Sequence, residues 1–410
     1  MKVGVAQRDI TPAGGYLSGF VARDEPATGA HDPITVRALV ADDTAVVTVD
    51  VCGLDEHTCR AIREAAPLRE DRILVHATHT HSGPASMPAR LERRVDGTWL
   101  SQLVAAAADA ITQAAATAVA AEMYHGVADD PGVAKNRRRP AGPVDPVVPV
   151  VAFEAGGRRV ATVVSYACHP VVLGPDNRLF SADYTAVTRR LVEAAYPGSV
   201  CLCLTGCAGD VNTGHSAVAS MQGVTSPNRT FAEAERVGAR LADAVLAAAL
   251  APAPGAVGSA CSAVTLRFDL PTPVELTTEM KQYDPATATS DAERLLFDCW
   301  HGWALEQQAH PGPDTWHGTV TRFTWGTTNL VGLPGEPFSA VAVAVRRAIG
   351  DPGAIIAGYC NGSPGYLPTR DEYPLGGYEV ADAHRYYGMP GPFAPGSAEQ
   401  LVAAVAALAP

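Results

Sequence analysis

No apolar run in the 410-residue chain approaches the roughly 18 to 20 residues needed to cross a bilayer, which excludes stable membrane insertion by a helix. The opening Met1-Lys2-Val3-Gly4-Val5 leads straight into Asp9-Ile10-Thr11-Pro12 without a basic, apolar and small-residue leader, so export is not expected. Cations are in short supply. Thirty-one Lys and Arg face 43 Asp and Glu, a formal net charge of −12, and Arg137-Arg138-Arg139 is the one basic run. Nucleic acids and anionic membranes need clustered cations, so neither is expected as a partner. The nine cysteines are odd in number and form no paired Cys-x-x-Cys set, which argues against a structural zinc held by thiolates. Cys52, Cys168, Cys201 and Cys203 lie in apolar, strand-like runs and read as reduced core residues of a cytoplasmic protein. No internal repeat is visible, and the only low-complexity segments are Ala-rich helices.

Against these absences, 47% of the residues are hydrophobic, enough to bury a large core. The apolar periodicity alternates between two and 3.6 residues along the chain. It predicts strands over Ala45 to Val51, Ile73 to Thr80 and Ser199 to Thr205. It predicts helices over His57 to Ala65, Trp99 to Ala121, Tyr184 to Tyr196 and Phe231 to Leu250. Val147 to Glu154 and Arg159 to Cys168 pair as a hairpin across Ala155-Gly156-Gly157-Arg158, a strong turn signal. The fold class is therefore α/β, with mixed sheets flanked by helices. Ala251-Pro252-Ala253-Pro254-Gly255 looks like a linker, but chemistry-bearing residues lie on both sides of it, so residues 1–410 are read as one compact domain. Pro273 to Pro311 is helical and richer in charge, and reads as an insertion over the pocket.

The chemistry is densest at Val75-His76-Ala77-Thr78-His79-Thr80-His81-Ser82-Gly83-Pro84, where three of the chain's 12 histidines end an apolar run. On an extended chain His79 and His81 project to one face, so they can bind a transition metal together or divide into one ligand and one acid/base group. A second strand, from Arg159 to Cys168, stops at His169-Pro170 because proline cannot continue a central strand. A third apolar run, Asn329 to Leu333, ends in Pro334-Gly335 and presents Glu336 just before a helix from Phe338 to Ile349. Alone, His169 and Glu336 read as a strand-end hydrogen bonder and a helix-start carboxylate. Together with the first segment they make a His, His, Glu set, the donor type of a catalytic zinc that keeps a coordination position open.

In this order the motifs resemble those of the neutral/alkaline (non-lysosomal) ceramidase family, specifically its N-terminal catalytic domain. The resemblance rests on His-Thr-His-Ser-Gly-Pro at 79–84, Cys-His-Pro at 168–170, Ser-Ala-Asp at 181–183, Gly-Asp-Val at 209–211 and Pro-Gly-Glu at 334–336. Arg8-Asp9-Ile10-Thr11-Pro12, His31-Asp32-Pro33, Asn136-Arg137 and Tyr366-Leu367-Pro368-Thr369 extend it over about residues 8 to 380. It implies a zinc-dependent amide hydrolase in which His79, His169 and Glu336 are the zinc ligands. His81 is implied as a group that supports the ligands or faces the substrate, and Arg137 as a cation for the scissile carbonyl or a substrate anion. Asp9 and Asp183 match family positions too, but read equally well as turn and helix-cap aspartates.

The chain departs from the family pattern in three places. Family members read Gly-Asp-Val-Ser-Pro, with the serine taken as catalytic, whereas this chain reads Gly209-Asp210-Val211-Asn212-Thr213. Asn212 could orient substrate or stabilise an oxyanion through its amide. The zinc-binding tyrosine of the family aligns with Ser363, with Tyr366 a short turn away, so the fourth ligand is Ser363, Tyr366 or water. The chain also has no room for the C-terminal β-sandwich of the long ceramidases. Metal-activated water can attack an amide without a serine. The expected activity is therefore zinc-dependent cleavage of an N-acyl bond in a small molecule, with Tyr366 and Arg137 as donors to the developing oxyanion. Aromatic residues make up only 6% of the chain and no tract suggests a deep sleeve, which favours a polar or short-acyl substrate. The competing readings are an inactive ceramidase-like binding protein and a zinc esterase or lactonase. A serine-hydrolase elbow at Gly214-His215-Ser216-Ala217-Val218 fails because Val218 stands where the turn requires glycine.

Overall fold

One arrangement of elements occurs three times. Thr35–Ala41 and Thr44–Val49 pair antiparallel, the helix Glu56–Ala65 crosses back, and Ile73–Ala77 adds parallel to Thr44–Val49. Val148–Ala155, Arg158–Tyr166, the helix Tyr184–Ala195 and Val200–Thr205 repeat this order. So do Thr315–Trp325, Thr328–Gly332, the helix Ser339–Ile349 and Ile355–Ala357. Each sheet gains a further antiparallel strand on its far side: Lys2–Asp9, Glu122–Ala128 and Val257–Arg267 respectively. These features come from a computed structural model, which describes every residue except 89, 91–93, 225, 409 and 410. The fold is α/β, with mixed sheets flanked by helices in a single compact domain, as the periodicity predicts. The threefold topology carries no sequence repeat.

Parallel strands buried on both faces read as continuous apolar runs rather than alternating ones. Thr35–Ala41, Thr44–Val49 and Ile73–Ala77 are buried at every position. One core joins the sheets, packing Leu39, Val46 and Leu74 of the first against Val151, Phe153 and Val163 of the second and Phe323, Trp325 and Leu330 of the third.

The three parallel-added strands meet at the centre and are stitched to one another. Ala77 N–H donates to Tyr359 O at 3.1 Å, Gly358 N–H to Thr205 O at 3.0 Å, and Thr205 Oγ1 to Thr78 O at 2.6 Å. His76 serves this seam rather than a metal, because its Nε2 accepts the Thr205 N–H at 3.0 Å and burial lowers its pKa to about 3. Their C-terminal ends therefore converge on one point.

Helix starts follow capping rules. Asp55 and Asp183 accept backbone N–H groups at the starts of the first two crossover helices. The third has no side-chain cap of its own. Asp210 supplies one from elsewhere, accepting Ser339 N–H at 2.7 Å and Ser339 Oγ at 3.0 Å. The Gly-Asp-Val motif thus ties the second unit to the start of the third. Asp9 accepts Thr11 N–H and Oγ1, a turn contact.

Several boundaries differ from expectation. The strand predicted to reach Thr80 ends at Ala77, and the helix predicted to reach Ala121 ends at Ala116. The helix predicted to reach Leu250 ends at Ala247, and the strands predicted to reach Val51 and Cys168 end at Val49 and Tyr166. Residues 273–311 hold two helices, Pro273–Gln282 and Asp291–Ala309, joined by a short 3-10 turn. The linker-like Ala251–Pro252 pairs with the edge of the second sheet and leads into the third.

Candidate metal centre and pocket

His79 and His81 do converge, but not by strand alternation. The strand has already ended, and His79 sits at φ 65, a left-handed conformation that histidine adopts at a cost. His79 N–H is held by Val51 O at 2.9 Å, and Thr80 Oγ1 donates to Ser181 O at 2.8 Å. The turn so fixed brings His81 Nε2 to 3.2 Å from His79 Nε2. Beneath it lies a fully buried ion pair, in which Arg189 Nη1 and Nη2 clasp Asp50 at 2.6 and 2.9 Å and Thr78 Oγ1 adds a contact at 3.3 Å.

His169 follows the second strand of the second unit, its N–H held by Val211 O at 3.0 Å. Glu336 follows the corresponding strand of the third unit. Gly335 precedes it at φ 66, where a Cβ would lie 2.6 Å from Gly365 O, so only glycine fits. Glu336–Pro337 then pairs in parallel with Tyr366–Leu367, and this short bridge brings Tyr366 beside the carboxylate.

One donor atom each from His79, His169 and Glu336 lies within 4.8 Å of the others, and all three residues are buried. Glu336 Oε2 is 3.2 Å from His79 Nε2 and 2.9 Å from His169 Nε2. The Nδ1 atoms face backbone carbonyls, Cys52 O for His79 and Ala208 O for His169. Such contacts fix the tautomer so that Nε2 presents its lone pair, as metal-binding histidines require. Among the described residues Glu336 Oε2 and His169 Nε2 have no hydrogen-bond partner although both are buried. Unsatisfied buried acceptors facing one another cost free energy that a cation would recover, so the donor set fits a divalent metal such as zinc. Cys52, His79 and His81 also come within 4.8 Å, but Cys52 Sγ faces Nδ1 of His79 at 3.8 Å, away from the open side.

Burial acts on the charges of all three. It alone would raise the Glu336 carboxyl, but His79 and His169 hold it well below its ordinary range. Burial lowers His169 to about 4, whereas Glu336 outweighs burial at His79 and pushes it up to about 10. His81 is neutral, lowered by burial and by the other two histidines.

A pocket opens beside this cluster, and its lining includes His81, Arg137, Asn212 and Tyr366. Arg137 and Asn212 arrive together because Lys135–Asn136 pairs antiparallel with Val211–Asn212. Arg137 Nη2 donates to Tyr366 Oη and to Gly209 O, each at 2.9 Å, while Nε pairs with Glu379 at 2.9 Å. Burial opposes its charge, yet the surrounding groups, Glu379 and Glu336 among them, keep it cationic. Burial also raises Tyr366 well above the ordinary tyrosine value, so it is a neutral donor. The Asn212 amide is largely engaged in its own turn. Its Oδ1 accepts Gly214 and His215 N–H at 2.7 and 2.9 Å, and Nδ2 donates to His215 O at 2.6 Å.

Several residues at the site escaped sequence reasoning. Tyr387 Oη donates to Glu336 Oε1, whereas Oγ of Ser363, a ligand candidate in the sequence, is buried without a hydrogen-bond partner among the described residues. Tyr359, at φ 55, stacks on His79 with ring centroids 4.1 Å apart. Phe20, Trp300, Tyr378 and Tyr386 line the pocket, so it is richer in aromatic residues than the composition of the chain suggests. The density of tyrosine at 373, 378, 386 and 387 was the available signal.

No family model matches the chain, and no curated protein matches it in sequence. Solved structures do. A neutral ceramidase from Pseudomonas aeruginosa superposes with a TM-score of 0.74 at 17% identity, over 99% of this chain and 74% of that one. A ceramidase complexed with C2 gives 0.71 at 17% identity, over 99% and 75%. The chain therefore has the fold of the neutral ceramidases.

Proposed function

We propose that this chain is a zinc-dependent hydrolase that cleaves the N-acyl bond of a small-molecule amide. The observation that carries the reading is the meeting of His79 Nε2, His169 Nε2 and Glu336 Oε2 beside a pocket, all buried and mutually close, with the last two lacking a hydrogen-bond partner among the described residues. When bound there, zinc supplies Lewis acidity that polarises a carbonyl and acidifies water. His81, kept neutral by its surroundings, accepts a proton at Nε2 from the attacking water and delivers it to the leaving amine. The C–N bond breaks, the water oxygen joins the acyl carbon, and the products are a carboxylate and an amine. Tyr366 receives a hydrogen bond from Arg137, so its own proton is left to donate to the carbonyl oxygen as charge builds there. Arg137, balanced by Glu379, fixes that hydroxyl and adds positive potential. Asn212 keeps one N–H of its amide for orienting substrate while the other holds the 212–215 turn.

The chain is further proposed to be one catalytic domain over residues 1–410, with 273–311 as a helical insertion over the pocket and a cytoplasmic location. Among the described residues no helix is long and apolar enough to cross a membrane. The reading is tested by metal analysis of untagged protein followed by turnover of amides by the zinc-loaded form. About one zinc per chain and release of amine from a small N-acyl substrate are expected. Protein that holds zinc but turns over neither amides nor esters would make the fold a binding protein. Efficient release of long-chain fatty acid from ceramide would return the substrate to that of the structural neighbours.

A further inference from the structure

The pocket beside the cluster has a lining unlike its entrance. Inside, Phe20, Met221, Leu296, Trp300, Tyr378 and Tyr386 present apolar and aromatic surface. The cation among the polar groups is paired, Arg137 being balanced by Glu379, and burial holds His215 down to about 4. Trp300 adds a second, independent sign of a ligand: it is 6% exposed, and its Nε1–H is buried without a hydrogen-bond partner among the described residues. A buried N–H of this kind costs free energy unless an acceptor arrives.

Outside, the chamber runs past Gly19, Phe20, Val21 and Tyr386 into a wider cleft that carries Asp24, Arg94 and Asp298. Asp24 and Arg94 are ion-paired there. A methylene chain too long for the chamber would have to lie across these charges. That surrenders the gain of about 0.8 kcal/mol per buried methylene which would otherwise draw it in. A polar amine portion, by contrast, suits the cleft.

We propose that the chamber selects an amide whose acyl group is compact, uncharged and ring-sized, with Trp300 and Met221 setting its length and the amine portion directed to the charged cleft. This rests on the hydrolase reading above and narrows it. Trp300 stands on the long helix Asp291–Ala309 and Met221 on the short helix Ala217–Met221, so the two line the chamber from separate segments. Its fixed tryptophan face suits an aromatic or cyclic acyl group, and its Nε1–H suits an acceptor on that group.

The test uses full-length, zinc-loaded protein and one amine, ethanolamine, acylated with acetyl, benzoyl, octanoyl or lauroyl groups. The benzoyl compound should be cleaved with a kcat/KM at least about tenfold above the lauroyl compound, the scale on which an apolar pocket discriminates by size. Trp300→Ala and, separately, Met221→Ala should erase most of that preference with zinc content unchanged. Met221→Ala, in a short and partly exposed helix, guards against misfolding of the tryptophan variant. Wild-type preference for the lauroyl compound would overturn the proposal and leave the hydrolase reading standing. Should no compound be cleaved, calorimetric binding of N-methylbenzamide decides the matter. Binding weakened about tenfold by either substitution would uphold the chamber and fell the hydrolase reading, whereas no binding would overturn the proposal too.

Discussion

The donor cluster and the pocket wall beside it are built on opposite plans. The donors stand at strand ends whose backbone is fixed by hydrogen bonds between the three units, and each is buried. The wall is assembled from a loop near residue 20, a five-residue helix at Ala217–Met221 and the helix Asp291–Ala309, whose side chains are mostly half-buried or exposed. The difference separates the two tasks of such a site. A rim locked by backbone contacts can hold a metal in one geometry, while a wall of short elements can change its lining without disturbing the rim.

Removing a donor should break the comparison outright. His79→Ala or His169→Ala is expected to abolish stoichiometric zinc in metal analysis, because two remaining donors cannot hold a catalytic metal. Zinc retained in both variants would mean that the cluster is not the metal site.

The support under the rim comes next. Asp50→Asn should destabilise the fold by about 3 to 5 kcal/mol, since it leaves Arg189 charged, buried and unpaired. Burial would raise the Asp50 carboxyl, but Arg189 holds it below 3.8, so the pair stabilises fully at neutral pH and its contribution is lost only as the pH falls below that value. Denaturant titrations should therefore show a constant gap between wild type and variant from pH 7 to 5 and a narrowing gap below pH 4. A gap that closes already at pH 5 would refute the ion pair as its source.

Tyr366→Phe lies at the junction of rim and wall. It should lower kcat by about 10²-fold with zinc unchanged, the scale of losing one oxyanion donor. Loss of zinc instead would place this tyrosine among the ligands.

Gly19→Ala should give the smallest effect and the sharpest reading of the wall. Gly19 adopts φ +93, and a Cβ there would lie 2.5 Å from Nδ1 of His81, so the ring must turn. We expect kcat to fall by about tenfold or somewhat more and the pH profile to shift, while zinc content and KM hold. A pH profile identical to that of the wild type would assign the loss to strain in the loop alone.

The rim was the more legible region. His169 and Glu336 each end an apolar run beside proline or glycine, and His79 follows one in a histidine cluster that closes at Gly83-Pro84, patterns that survive in one dimension. The reason His79 meets His81 was not legible, because the left-handed turn at His79 depends on Val51 and Ser181, which are distant in sequence. Tyr387 and Tyr359 were missed for a similar cause. Their spacing from Glu336 carries no period, and the contacts that fold them back, Tyr359 onto Ala77 and Gly335 and the bridge between 336–337 and 366–367, join stretches distant in sequence. The wall was hidden further still. Its aromatic residues come from stretches near 20, 300, 366 and 378–386, so a search for an apolar tract finds nothing. The repeated topology went unseen because each unit uses different apolar residues for the same layers, and packing asks for volume and pattern rather than identity.

The stitching of the three central strands has a consequence for how the chain matures. Residues 79, 169 and 336 come from different units, so the cluster has no local precursor, and any chain ending before the third unit offers two imidazoles and no carboxylate. A metal that binds only the finished arrangement favours it by mass action, by about 2.7 kcal/mol when free metal stands at 100 times its dissociation constant. Metal uptake would thus report on completion of the whole chain, and apoprotein refolded with chelator should relax to the native state more slowly than it acquires helix, because its contacts are so distant in sequence.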